Sequence, residues 1–266
     1  MSSVYLLIAH GSRDPNYPVA LEQLARDLER RLEHRLAENI GANIGANSHN
    51  VTGDQAPITV GTGTLECAPI SLHQQIQHFF HSLEPPRPTA IRLFPLFLFS
   101  GVHVQADIPL EIAMAREALG SEVHLEVLPY LGAQTTQITQ TLQTYLAAIP
   151  VDTWVIVGHG SRRPRGNQPM ERLAHQLAAV PAYWSVSPSL DTQVQQLIHA
   201  GIQTIGILPY FIFSGGITGA IQQDITRLGQ RFPQVKLALA QPLDHSGLLL
   251  NWVEAGIHNS LSRAKF

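Results

Sequence analysis

The sequence is poor in cysteine, in net charge and in long apolar runs, and each shortage excludes a class of protein. Cys67 is the only cysteine among 266 residues, which rules out an intramolecular disulfide framework and any all-cysteine iron–sulfur or zinc site within one chain. The net charge of −3 provides no basic field for nucleic acid or an anionic membrane. The first apolar run is about six residues long, too short for a signal peptide, and no later run can span a bilayer. We therefore expect a soluble, cytoplasmic protein with neither nucleic acid nor membrane as a partner.

A repeated pair of motifs organises the chain. The stretch VYLLIAHGSRDP, which ends at Pro15, returns as TWVIVGHGSRRP, and LFPLFLFSG returns as ILPYFIFSG. His159 follows His10 by 149 residues, whereas Phe213 follows Phe99 by 114 residues. The two halves therefore share a plan, and the first carries about 35 more residues (149 − 114) between its two motifs. Such a pattern indicates an internal duplication.

Short apolar runs alternate with amphipathic helical patterns in both halves, which predicts an α/β fold. We expect two similar lobes, 1–150 and 151–266, each a mostly parallel sheet flanked by helices. Pro95 and Pro209 stand at matched positions inside apolar runs, and because proline cannot donate to a sheet they predict either a bulge or an early end to strand pairing, with Phe-Ser-Gly on a loop above the sheet. The segment Ile40–Gly63 is rich in Gly, Asn and Thr and is predicted to be a flexible surface insertion.

Three polar side chains follow predicted strands of the first lobe. His10 comes after the first strand, Glu66 after the second, and His103 just past the Phe-Ser-Gly end of another. Ligands of open α/β sheets bind at the carboxyl ends of the strands, so these side chains can bind a divalent ion or accept protons. Each histidine also fits a structural role with its ring bonded to loop backbone, and Glu66 fits either an imidazole partner or a helix-end anchor.

The second half keeps only part of this set. His159 repeats His10, but Ile217 stands where His103 is expected, and the strand near Ser185 ends without an acid to match Glu66. Three arginines lie beside His159, in a pattern that fits either a carboxylate or phosphate clamp or a solvated basic turn; they are Arg162, Arg163 and Arg165. Three other histidines share one predicted helix of the first half, but we do not expect them to bind a metal; they are His73, His78 and His81.

Taken together, these residues resemble the sirohydrochlorin chelatases of sirohaem and cobalamin synthesis. The resemblance rests on His-Gly-Ser-Arg after the first strand, on Glu66 with Pro69 and Leu72, and on FLFSGVHV followed by Asp107-Ile-Pro. It covers almost the whole chain in the two-lobed form of the family. It implies paired α/β lobes that hold a tetrapyrrole in the cleft between them, with metal-handling histidines at His10 and His103 and, by a looser match, an acidic residue at Glu66. Because Ile217 replaces the second histidine, it also implies one active site per chain.

The implied reaction is insertion of Fe²⁺ or Co²⁺ into sirohydrochlorin. Neutral imidazoles bind such borderline ions and accept protons near neutral pH, so His10 and His103 are predicted to be catalytic and metal-binding, with Glu66 orienting an imidazole or relaying charge. The metal is then a substrate, and no permanently bound cofactor is expected. The carboxylates of the tetrapyrrole need positive charge and N–H donors; the predicted substrate-binding residues are Ser12, Arg13, Gly101, Ser161, Arg162, Arg163, Arg165 and Gly215.

Two other functions were considered for the same residues. Histidine phosphatases place Arg directly before the His of their first strand, but Ala9 and Gly158 occupy those positions here, which disfavours a phosphatase. A non-catalytic tetrapyrrole or metal carrier on the same scaffold remains the alternative. The residues do not choose between iron and cobalt, and nickel is compatible as well. Two lobes in one chain remove the need for a dimer to build the site, so a monomer is expected.

Overall fold

The fold is taken from a computed structural model, which describes residues 3–43 and 58–263. The described residues form two compact units. Positions up to Ala133 and from Val253 onward make the first unit, and Gln134–Trp252 makes the second. Within the described ranges, no helix is long and apolar enough to cross a membrane.

The first unit is built around a four-stranded parallel sheet in the order β2-β1-β3-β4. The strands are β1 (Ser3–Ala9), β2 (Ile58–Thr64), β3 (Ala90–Pro95) and β4 (His124–Val127). Its helices are α1 (Asn16–Asn43), α2 (Leu72–Ser82) and α3 (Ile108–Leu119). All but the first residue of β1 is buried, because this strand pairs on both edges and is covered on both faces, as its unbroken apolar run predicts.

The second unit repeats this plan with the order β6-β5-β7-β8, again parallel. The strands are β5 (Thr153–Gly158), β6 (Ala179–Tyr183), β7 (Thr204–Pro209) and β8 (Lys236–Leu239). The helices are α4 (Thr135–Ala147), α5 (Gln168–Gln176), α6 (Leu190–His199), α7 (Gly216–Arg231) and the start of α8 (Leu248–Arg263). The predicted α/β fold with two similar parallel-sheet lobes is confirmed.

The predicted end of strand pairing at two prolines is also confirmed. β3 ends at Pro95, which pairs with Ile8, and β7 ends at Pro209, which pairs with Val157. After each proline one further backbone N–H still reaches the central strand, at Leu96 in the first unit. The Phe-Ser-Gly motifs therefore lie on loops beyond the carboxyl edge of each sheet, where a ligand can reach them.

The compact units differ from the predicted lobes at two places. Helix α4 was assigned to the first lobe, but it belongs to the second unit, where Thr139 Oγ1 donates to Gln176 Oε1 over 3.2 Å. The latter part of α8 belongs to the first unit, where the buried Glu254 pairs with Arg31 and Arg35 of α1 at 3.3 and 2.5 Å. Long-range side-chain contacts, which adjacency in sequence does not reveal, decide both assignments.

The predicted insertion Ile40–Gly63 is wrong at both of its ends, where the structure has a helix and a strand. Residues 40–43 complete α1, and Ile58–Gly63 lies within β2, which pairs with β1 along its whole length. This part of the expectation is corrected, because glycine and threonine at an edge strand pair through their backbone whatever their side chains. The remainder, 44–57, lies outside the described residues. The strand expected near Ser185 is found slightly earlier, at Ala179–Tyr183.

Candidate metal centre

The topology of the first sheet brings three predicted site residues to one edge. From β1 the chain runs through α1 to β2 on one side of β1, whereas β3 lies on the other side. The boundary between β1 and β3 is therefore the switch point at which open α/β sheets bind ligands. His10 directly follows β1, Glu66 follows β2, and His103 follows the loop after β3. The three residues belong to one compact unit.

Gly11 explains why glycine must follow His10. Its φ is +98°, and a Cβ at this position would stand 2.0 Å from the carbonyl oxygen of Glu66. Only glycine combines that backbone conformation with so close an approach. The same approach lets the Glu66 N–H donate to the His10 carbonyl over 2.8 Å. The His-Gly pair therefore holds the ends of β1 and β2 together and places Glu66 beside His10.

His103 stands on a π-turn, His103–Asp107, that leads directly into α3. Pro109 follows, and because proline has no N–H it cannot form the α-helical bond to the carbonyl of Gln105. The N–H of Ile108 instead donates to the carbonyl of His103, five residues back. Such π-turns are rare and frequently occur at functional sites.

The two imidazoles converge on each other. His10 Nε2 and His103 Nε2 are 3.1 Å apart, and the rings meet edge to face with centroids 4.6 Å apart. The Nδ1 of His10 lies 3.2 Å from the carbonyl of Gly11, and that of His103 lies 2.7 Å from Oδ2 of Asp107. A carbonyl and a carboxylate accept hydrogen bonds, so these contacts favour the tautomers with protonated Nδ1, in which both Nε2 atoms present lone pairs. Two such lone pairs facing each other suit a metal ion, which both nitrogens can bind.

The nitrogen separation fits a metal ion well. With bond lengths of about 2.1 Å to imidazole nitrogen, two nitrogens 3.1 Å apart subtend roughly 95° at the ion. The ligand atoms of His10, His103 and Glu66 all lie within 4.8 Å of one another. Ligands on one ion are at most about 4.2 Å apart, so Glu66 needs only a small rotation to join the two nitrogens. In the part of the chain that the structure describes, this is the only such group of three or more.

A cavity of about 240 Å³ adjoins this centre inside the first unit, with Glu66 and Gly11 in its wall. Tyr17, Cys67 and Gln75 also line it. Burial raises the pKa of Tyr17 to about 12, although a hydrogen bond with the backbone of Gly11 lowers it in part. The phenol therefore stays neutral at physiological pH, and it contributes a polar wall without a competing negative charge.

The second unit lacks this convergence. The Ser185 N–H donates to the carbonyl of His159 over 2.9 Å, as the Glu66 N–H does to His10, so Ser185 occupies the place of the carboxylate. Its hydroxyl also donates to the same carbonyl, over 2.8 Å. Ile217 packs against the apolar core of this unit. The predicted loss of the second site therefore has a structural basis.

The predicted anion-binding residues divide into two groups. Arg13, Arg162, Arg163 and Arg165 are all exposed, as ligand-binding arginines require. Three of the expected backbone donors, however, already have acceptors: the N–H of Ser161 donates to Asn167 Oδ1 over 2.7 Å, that of Gly101 to the Phe99 carbonyl over 3.0 Å, and that of Gly215 to Thr218 Oγ1 over 2.8 Å. Each of these N–H groups shapes its own loop, and substrate binding at these positions stays a prediction. The hydroxyl of Ser12 accepts from the N–H of Asp14 over 3.1 Å.

The three histidines of α2 do not form a metal site among the described residues. His73 instead ties α2 to α3, because its Nδ1 and its backbone N–H both reach Glu111 Oε2, over 2.9 and 2.8 Å. Sequence reasoning did not assign a role to Asp107 or to Tyr17. The signal for Asp107 was present in the sequence, as an acid four residues after His103 and directly before Ile-Pro.

Fold and centre together define a two-lobed α/β protein with one candidate metal site at the edge of its first sheet. The CbiX family model matches residues 45–147 and again 153–260. The chain therefore belongs to the CbiX family and carries two copies of its repeat, which confirms the resemblance seen in the sequence.

Solved structures share the two-lobed chelatase fold. SirB from Bacillus subtilis with Fe³⁺ has 17% identity and a TM-score of 0.71, over 100% of this chain and 98% of that one. SirB from Bacillus subtilis subspecies spizizenii in complex with cobalt has 19% identity and a TM-score of 0.62, over 98% and 94%. CbiX, described as the terminal enzyme for biosynthesis of sirohaem in denitrifying bacteria, has 18% identity and a TM-score of 0.61, over 97% and 99%. The comparison with curated proteins gives no significant match.

Proposed function

We propose that this protein is a sirohydrochlorin chelatase that inserts Fe²⁺ or Co²⁺ into the tetrapyrrole. The observation that carries the proposal is the convergence of the two Nε2 lone pairs of His10 and His103, 3.1 Å apart, beside the carboxylate of Glu66. Membership of the CbiX family and the likeness to SirB and CbiX structures support it.

Metal insertion needs a site that binds an ion without retaining it and that removes two protons. The overall reaction takes one divalent ion and a tetrapyrrole with two pyrrole N–H groups, and yields the metallated ring and two protons. Two imidazoles and one carboxylate are few ligands for such an ion, so several positions stay open to the pyrrole nitrogens. As the ion moves to the ring, the vacated Nε2 atoms of His10 and His103 accept the two protons one after the other, because nitrogens 3.1 Å apart leave room for a single proton between them. Glu66, which is exposed, passes them to solvent.

Substrate recognition is proposed to rest on exposed arginines rather than on loop N–H groups. Arg13 follows the first His-Gly-Ser, and Arg162, Arg163 and Arg165 follow the second. Guanidinium groups pair with carboxylates through two parallel hydrogen bonds, and sirohydrochlorin is rich in carboxylates. The chain's net charge of −3 makes such a local concentration of positive charge necessary. We propose that the protein acts as a monomer, in the cytoplasm and without a resident cofactor.

The test is an anaerobic absorbance assay of sirohydrochlorin with Fe²⁺ or Co²⁺ and four forms of the protein. They are the wild type, His10→Ala, His103→Ala and His159→Ala. The last variant is the matched control, because His159 is the repeat equivalent of His10 in the unit that lacks the convergent site. We expect rapid insertion by the wild type, a loss of about 10²-fold or more at His10 or His103, and near wild-type rates for His159→Ala.

Other results of this assay would contradict the one-sided site or replace the chelatase function. Equal loss in all three variants would contradict a one-sided site in the first unit. A spectral shift on tetrapyrrole binding without insertion above the uncatalysed rate would replace the chelatase with the carrier function. The metal that is inserted faster would identify sirohaem or cobalamin synthesis as the pathway served.

A further inference from the structure

The first unit contains one residue more than the second between its Phe-Ser-Gly loop and its following helix. Phe99 and Phe213 are 114 residues apart, but corresponding buried residues of α3 and α7 are only 113 residues apart (221 − 108). That second relation holds three times, since the buried Ile108, Ile112 and Ala115 correspond to the buried Ile221, Ile225 and Leu228. One residue has therefore been added in the first unit, or removed in the second, between Gly101 and Ile108.

The additional residue coincides with the π-turn His103–Asp107. An α-helix accommodates a single extra residue by widening one turn, which produces a π-turn and leaves the packing of the following helix unchanged. In the second unit α7 begins at Gly216 and runs to Arg231 as an α-helix throughout. The core register of α3 is thus preserved, and the widened turn carries His103, which contacts His10.

Asp107, the last residue of this π-turn, contacts His103. Its Oδ2 lies 2.7 Å from His103 Nδ1, at the short end of the range for charge-assisted hydrogen bonds. Although Asp107 precedes α3, its side chain makes no capping hydrogen bond to that helix. The carboxylate is 45% exposed and the imidazole 30%, so the contact lies in partly dry surroundings at the edge of the site. A role in helix capping does not explain this carboxylate.

We propose that Asp107 is a positioning residue for His103, held in place by the one-residue π-turn. By accepting a hydrogen bond from Nδ1–H, Asp107 keeps the imidazole in the tautomer whose Nε2 lone pair points at His10. An Nε2–H tautomer would direct a proton, rather than a lone pair, at the incoming ion. Such carboxylate–imidazole contacts typically change metal affinity or activity by 10–100-fold. The expected effect of this contact on activity rests on the proposed function, whereas the tautomer of His103 does not.

The first experiment therefore measures the tautomer directly, in protein without metal or tetrapyrrole. Protein labelled with ¹⁵N at histidine is recorded by two-bond ¹H–¹⁵N NMR at about pH 8.5, above the usual imidazole range. The wild type, Asp107→Ala, Asp107→Asn and Glu117→Ala are compared, since Glu117 is an exposed carboxylate further along the same helix. We expect His103 to show protonated Nδ1 in the wild type and in Glu117→Ala, and a substantial Nε2–H population in Asp107→Ala.

The conservative variant separates positioning from a general structural effect. The amide oxygen of Asp107→Asn can still accept from Nδ1, so this variant should retain more of the wild-type tautomer than Asp107→Ala. Cobalt affinity of the protein alone, followed by the visible Co²⁺ spectrum, should fall in the same order, by about 10-fold or more for Asp107→Ala. Thermal midpoints of all four proteins should agree closely, because the side chain makes no helix cap.

The outcomes distinguish this inference from the chelatase proposal. An unchanged His103 tautomer and unchanged cobalt affinity in Asp107→Ala would overturn the positioning role, even if the wild type inserts metal. A wild type that inserts no metal would overturn the chelatase proposal, yet the NMR comparison would still decide whether Asp107 sets the tautomer.

Discussion

Replacing Gly11 with alanine tests the geometry that joins the two strand ends at the metal centre. Gly11 has a φ of +98°, and its Cβ would stand 2.0 Å from the Glu66 carbonyl oxygen and 2.8 Å from the carbonyl carbon. Both atoms belong to the backbone, so no side-chain rotation can relieve the overlap. The strand ends must separate by at least about 1 Å, because real Cβ atoms essentially never lie within 3.0 Å of such an atom.

The cost follows from two contributions. The left-handed backbone conformation costs a residue with a Cβ about 1–2 kcal/mol. A separation of about 1 Å also breaks the hydrogen bond from the Glu66 N–H to the His10 carbonyl, now 2.8 Å, at a net cost of about 1 kcal/mol. We expect Gly11→Ala to lose about 2–3 kcal/mol of unfolding free energy. Since positioning errors of about 1 Å can lower rates about 10²-fold, metal insertion should fall by a similar factor.

Gly201→Ala is the matched control for backbone conformation. Gly201 follows α6 with a φ of +87°, and a Cβ there would meet nothing within 4 Å. It should therefore lose only the conformational cost of about 1–2 kcal/mol and retain full activity. Urea unfolding and the metal-insertion assay measure both quantities. If Gly11→Ala were no less stable than Gly201→Ala, or retained wild-type activity, the close approach of Gly11 to Glu66 would not matter and the reasoning would be refuted.

Two further predictions concern the second unit. Arg162→Ala combined with Arg163→Ala should raise the half-saturating tetrapyrrole concentration much more than it lowers turnover, because these exposed arginines are proposed to bind carboxylates. The control is Arg172→Ala, since Arg172 is an exposed arginine on α5. Unchanged tetrapyrrole binding in the double variant would refute the arginine clamp. Hydrogen bonds from the backbone N–H and side chain of Thr204 and from the N–H of Gln203 lower the pKa of Asp152 below its usual 3.8. Its contribution to stability is therefore present above about pH 4 and lost as the pH falls through the lowered pKa. Asp152→Asn should flatten this acid limb of stability in urea unfolding, and an unchanged limb would contradict the assignment.

Much of the centre could be predicted from the sequence because short local patterns mark its strands and turns. A short apolar run followed by His-Gly identified β1 and His10, since glycine at that position reports a tight turn at a strand end. The recurrence of the same motif, His-Gly-Ser-Arg, at His159 predicted the two-lobed plan. Proline inside the apolar runs marked where β3 and β7 stop pairing. Each of these signals depends on neighbours within a few residues.

Other features were missed or misplaced because they depend on contacts between distant residues. The assignment of α4 and the latter part of α8 to their compact units follows from contacts such as Glu254 with Arg31, which are 223 residues apart. The sequence also did not show that the N–H groups of Ser161 and Gly215 donate to Asn167 Oδ1 and Thr218 Oγ1.

By itself, the sequence determined the α/β class, the duplication, and the three side chains that follow the strands of the first sheet, because strand periodicity, glycine turns and repeated motifs are local properties of a chain. Only the tertiary structure decided that His10 and His103 face each other through Nε2 and that Asp107 accepts from His103 Nδ1. Those facts depend on the pairing order of the strands and on one additional residue in a turn. Hydrogen-bond direction and ring orientation are set by what surrounds a side chain, and the surroundings of His103 come from segments 93 residues apart.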